Sequence, residues 1–115
     1  MVSKMTPRQV VARMVNGSSV SFVDARTERE WSKADWKIVG AVHAELESLV
    51  RDAARVSNAR LVVVYGTHES DPRVRDVAES LRAYGFPEVR VLTGGIEAWS
   101  ELNFAVQPAH EALAH

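Results

Sequence analysis

The chain has 115 residues, of which 46% are apolar and 25% charged, with a formal net charge of −1. That is ordinary globular usage for one domain with one core, without the basic field that nucleic acid requires or the run of about 20 apolar residues that a membrane span requires. There is no cysteine, which removes disulfides, thiolate metal sites and any cysteine nucleophile from this chain and fits a cytoplasmic setting. The opening MVSKMTPRQV lacks the apolar stretch of a signal peptide.

Thr6-Pro7 signals a helix start, a hydroxyl cap followed by proline at the first helical position. Val10, Val11 and Met14 give that helix one apolar stripe, and Asn16-Gly17 ends it. Val20–Asp24 is rich in β-branched and aromatic residues and predicts a strand. Asp24 and Arg26 then carry an acid and a base into the next loop. Thr27 with Glu30 fits a capping box for a short helix in the polar stretch to Trp36. Gly40–Ala44 predicts a short strand entered by a glycine turn, with His43 near its end. Over Glu45–Arg55, Leu46, Leu49, Val50 and Ala53 fall at helical spacing, with Glu45, Glu47, Arg51 and Asp52 mainly on the other face.

Leu61–Tyr65 is continuously apolar, as expected of a central strand covered on both sides. Asp71-Pro72 repeats the cap-then-proline signal. Val74, Val77, Ala78, Leu81 and Tyr84 follow as a helical stripe, closed by Gly85. Val89–Leu92 predicts a strand, Gly94-Gly95 a turn, and Ile96–Leu102 a short helix carrying Trp99. Pro108 ends the ordered pattern, leaving residues 109–115 as a tail. Strands alternating with helices predict an α/β layer fold with a mainly parallel sheet, in one domain over residues 1–115 with its core at about 6–108.

In such folds ligands sit beyond the carboxyl end of a strand, which places the candidate site in the loop after Leu61–Tyr65. Its candidate binding residues are Gly66, Thr67, His68, Glu69, Ser70 and Asp71. Backbone N–H groups of Thr67–Asp71 can curl into a nest for an anion, but Glu69 and Asp71 oppose one. The simpler expectation is a loop satisfied by its own side chains. His68, Glu69 and Asp71 also offer a set for a metal or a general base, with His43 and His110 as the available further histidines. Metal sites need three or four converging ligands, so no metal and no cofactor is expected. A Ser70–His68 nucleophilic pair lacks an orienting acid. Asp24 and Arg26 are read as a salt bridge or loop cap at the rim of the site. Arg73, Arg75 and Arg82 form the solvated face of the following helix. Trp99 is read as core, and Trp31 and Trp36 as the candidate partner surface.

Four stretches, VSFVDARTEREW, GAVHAE, LVVVYG and LRAYGFPEVRVLTGGIEAW, resemble a rhodanese-like domain in the right order from about Thr6 to Pro108. The last of them, Leu81–Trp99, is the most specific. The resemblance implies a three-layer α/β domain, a mainly parallel five-stranded sheet with helices on both faces. Active members carry sulfane sulfur from a donor such as thiosulfate as a persulfide on one cysteine, which follows the central strand and opens the loop. By position that residue is Gly66. A persulfide cannot form on glycine, and the chain has no cysteine at all.

The expected function is therefore a catalytically inactive rhodanese-like module that binds a protein or a small anionic ligand, with neither nucleic acid nor membrane as partner. One alternative is a sulfurtransferase-family protein whose thiol was replaced by Gly66 or comes from a partner. Another is a hydrolytic enzyme using His68, Glu69 or Asp71.

Overall fold

A computed structural model of the protein describes residues 2–68 and 71–110. Two of the loop candidates, Glu69 and Ser70, lie outside the described residues, as do Met1 and residues 111–115 of the tail.

In chain order the elements are β1 (Ser3–Met5), α1 (Pro7–Val15), β2 (Val20–Asp24), α2 (Glu28–Lys33), β3 (Trp36–Ile38), β4 (Val42–His43) and α3 (Leu49–Asp52). Then come β5 (Leu61–Tyr65), α4 (Pro72–Ala83), β6 (Val89–Leu92), α5 (Gly95–Glu101) and β7 (Val106–Pro108). Five strands form one sheet in the order β1-β6-β5-β2-β4, and every pairing in it is parallel. β3 and β7 form a separate antiparallel ribbon, with Trp36 opposite Pro108 and Ile38 opposite Val106. The α/β fold with its five-stranded parallel sheet is the one expected.

β5 lies at the centre, and its five residues are all buried. Alternate side chains of a strand point to opposite faces, so one apolar run feeds two cores. Val62 and Val64 pack with Val74, Val77, Ala78 and Leu81 of α4 and Leu49 of α3. Leu61, Val63 and Tyr65 pack with Val10 of α1 and Ile96 and Trp99 of α5. Each fully buried Val or Leu contributes roughly 1.5–3 kcal/mol of transfer free energy, so β5 is where the two layers are joined most strongly.

The helix starts follow the local signals. Thr6 Oγ1 accepts from the Gln9 N–H, and Gln9 Oε1 accepts from the Thr6 N–H, a reciprocal capping box. Thr27 and Glu30 make the same exchange at α2. Asp71 caps α4, its Oδ1 accepting from the Arg73 N–H at 2.9 Å.

Two expectations need correction. The predicted Glu45–Arg55 helix is a single α turn between 3₁₀ turns at Leu46–Ser48 and Ala53–Arg55. The tighter 3₁₀ winding shifts which residues face inward. Val50 is therefore exposed, and Asp52, expected outside, is 3% exposed. Its carboxylate accepts from Ser48 Oγ at 2.7 Å and from the Glu45 N–H at 3.2 Å. Tyr84 stands at the α4 C-cap, past the last inward turn, and is exposed. Pro108 is the last residue of β7, in keeping with its expected place at the end of the ordered pattern. Trp36, at the end of the polar stretch that follows Thr27, begins β3. None of β1, β3 and β7 is expected from the sequence, because three-residue strands exist through their partners, not through periodicity.

Candidate functional site

The loop after β5 is held from two sides. A helix start leaves its first N–H groups without intrahelical acceptors. At α5 these are taken by the loop, since Ile96 N–H donates to the Gly66 carbonyl at 3.0 Å and Glu97 N–H to the Thr67 carbonyl at 3.1 Å. Gly95 makes the approach possible. Its φ is +62°, and a Cβ there would lie 2.5 Å from the Gly66 oxygen, 2.7 Å from the Thr67 oxygen and 2.8 Å from the His68 nitrogen. The glycine pair in the sequence is thus the seat of the loop as well as a turn.

Gly66 is buried at the end of β5, and its backbone is outside the left-handed region. A Cβ built on it would lie 2.7 Å from Val74 Cγ2 of α4. Real carbon contacts sit near 3.5–4.0 Å, so Val74 occupies the space that the first atom of any side chain would need.

The remaining loop candidates do not converge. Thr67 Oγ1 donates to Glu30 Oε2 at 3.4 Å, tying the loop to α2. The Thr27 N–H holds the Glu30 carboxyl below its usual range, against partial burial, with help from the Thr27 and Thr67 hydroxyls and Arg26. His68 is exposed. Asp71 is engaged as the α4 cap, so a carboxylate already stands at that helix start. His43 and His110, the two further candidates, are not drawn toward His68. His43 Nε2 donates to the Arg26 carbonyl and His110 Nε2 to the Trp31 carbonyl, both at 2.8 Å. Among the described residues, no group of three His, Asp or Glu side chains is placed to hold a metal.

Asp24 and Arg26 lie deeper than a rim, 0% and 5% exposed. Arg26 Nη2 donates to Asp24 Oδ2 at 2.5 Å and to the Trp36 carbonyl at 2.8 Å. The Tyr65 hydroxyl donates to Asp24 Oδ2 at 3.0 Å and accepts from the Ile38 N–H at 3.1 Å. Burial, then the neighbouring Asp24 carboxylate, push the Tyr65 hydroxyl well above its ordinary pKa, so it stays a neutral donor. One buried network thereby joins β2, β5 and β3. The sequence reading does not include Tyr65 as a polar partner; its one signal is a phenol ending an otherwise aliphatic run. Trp31 lies flat on His43, ring centroids 4.6 Å apart, with His110 edge-on at 4.8 Å. Trp99 is core. Trp36 is the exposed member of the trio, at 53%.

The family model for the rhodanese-like domain matches residues 6–102. The chain belongs to the rhodanese-like family. The chain has no cysteine, so it lacks the reactive cysteine that active members carry. Solved structures agree on the fold. A Bacillus halodurans protein superposes with a TM-score of 0.74 at 19% identity, covering 93% of this chain and 77% of its own. The rhodanese-like domain of an Anabaena protein gives 0.70 at 26% identity, covering 93% and 80%. A thiosulfate sulfurtransferase from Pseudomonas aeruginosa gives 0.71 at 19% identity, covering 93% of this chain and 19% of that one. A search of curated proteins found no match. No helix among the described residues is long and apolar enough to cross a membrane.

Proposed function

We propose that this rhodanese-like domain is a non-catalytic binding module. The observation that carries the reading is the state of the nucleophile position. The chain has no cysteine, and the space beside Gly66 is filled by Val74 Cγ2. Sulfane-sulfur transfer through a persulfide needs a thiolate that is both nucleophile and carrier, and neither Thr67 nor His68 supplies one. Of the two partner classes, a protein is favoured over a small anion. The α5 N–H groups are given to the Gly66 and Thr67 carbonyls, and the start of α4 carries the Asp71 carboxylate. Both features weaken an anion cradle. The module is proposed to act as one domain in the cytoplasm, as a regulatory or scaffolding unit.

The test is a thiosulfate:cyanide assay on the purified chain, with intact-mass measurement after thiosulfate treatment. Thiocyanate formation at the buffer rate and no added sulfur are expected. Turnover above buffer, or a mass gain of one sulfur atom, overturns the reading.

A further inference from the structure

Between α5 and the turn that joins α2 to β3 runs an open groove of about 500 Å³. Ile96, Glu97 and Glu101 line one wall and Asp35 and Trp36 the other, with Arg26 at its floor. Most of the exposed lining is apolar, and the acids stand around it. The groove begins beside the loop, because Glu97 is the residue whose N–H holds the Thr67 carbonyl.

Its charge is one-sided. The guanidinium of Arg26 is already matched by the buried Asp24 carboxylate at 2.5 Å. The carboxylates of Asp35, Glu97 and Glu101 make no hydrogen bond or ion pair among the described residues. Glu97 and Glu101 are four apart on α5 and therefore share a face. The chain as a whole carries only −1, so this is a local excess. Trp36 adds a large, half-open indole face to the same groove. An indole face beside free carboxylates suits a guanidinium, which stacks on the ring while its N–H fork reaches the acids.

We infer that this groove docks an arginine-bearing extended segment of a partner protein. Arginine lies over Trp36 and is paired by Glu97, Glu101 or Asp35. The inference rests on the binding-module reading and names the surface and the partner chemistry for it.

The test uses the full ¹⁵N-labelled chain at about physiological ionic strength, where distant surface charges are screened. The probe is a synthetic peptide of alternating arginine and glycine, with a glutamate-glycine peptide as control. The largest shifts are expected at the Trp36 indole N–H and at the backbone of Asp35, Glu97 and Glu101. Trp36→Ala should weaken binding roughly five-fold, and the double change Glu97→Gln/Glu101→Gln roughly ten-fold. Asp76→Asn, an exposed acid on α4, should leave it unchanged. No binding, shifts scattered over all surface acids, or an equal loss with Asp76→Asn overturns the inference. These outcomes are separable from the reading it rests on. Failure to bind with no thiosulfate turnover removes this surface alone, whereas turnover removes the non-catalytic reading whatever the peptide does.

Discussion

Gly66→Ala is the sharpest probe of the loop entry after β5, because its sign depends on one neighbour. A glycine whose backbone suits other residues gains about 0.4–1 kcal/mol when changed to alanine, through loss of unfolded-state freedom. Gly66 is not in the left-handed region, so the backbone does not oppose the change. Val74 does, since the new Cβ would sit 2.7 Å from its Cγ2, about 1 Å inside normal contact. Val74 is 3% exposed and packed in the core, so it yields only by an off-rotamer turn or a shift of α4. Overpacking of this kind costs about 1–3 kcal/mol. A net loss of about 0.5–2 kcal/mol is expected, seen by urea denaturation as a lower midpoint with unchanged slope. Val74→Ala alone should cost about 1.5–2.5 kcal/mol for two buried methyl groups. In that background Gly66→Ala should become neutral or stabilising, a coupling of at least about 0.5 kcal/mol. Strictly additive effects would refute the filled-space explanation. The same logic extends to chemistry: Gly66→Cys alone should take up sulfur from thiosulfate poorly, and Gly66→Cys/Val74→Ala more readily.

Gly95→Ala should be among the most damaging single changes, about 3–5 kcal/mol, since its Cβ would meet three backbone atoms of the loop; thermal unfolding reads the loss. Tyr65→Phe removes a donor to Asp24 and an acceptor for the Ile38 N–H, and should cost about 1–3 kcal/mol by denaturant titration. Asp52 makes a pH prediction. Burial alone would raise its carboxyl, but hydrogen bonds from Ser48 and the Glu45 N–H, with Arg51, outweigh burial and hold it low. A depressed carboxyl contributes stability that is present above the unfolded value of about 3.9 and lost as pH falls through the folded value. Asp52→Asn should therefore flatten the stability–pH curve below about pH 4, and an unchanged curve would refute the assignment.

Much of the layer structure is legible in the residues themselves. Leu61–Tyr65 is apolar at every position, as a strand covered on both faces should be. Thr6-Pro7, Thr27 with Glu30, and Asp71-Pro72 mark three helix starts through bonds closed within a few residues. The spacing of Val74, Val77, Ala78 and Leu81 marks the face of α4. The reading weakens where structure depends on distant partners. Val50 and Asp52 exchange sides because 3₁₀ turns break the period that would have ordered them. β3 and β7 exist because residues far apart in sequence pair with each other.

The site divides along the same line. The amino-acid sequence by itself determined that this rhodanese-like chain has no cysteine and that Gly66 follows its central strand, matters of composition and order that no folding can alter. Tertiary structure alone decided that Val74 fills the space beside that glycine and that Gly95 lets α5 bond the loop carbonyls. It also decided that Asp35, Trp36, Glu97 and Glu101 share one groove. Those are contacts between elements separated along the chain. Close packing sets them, and neither local propensity nor hydrophobic period carries that information.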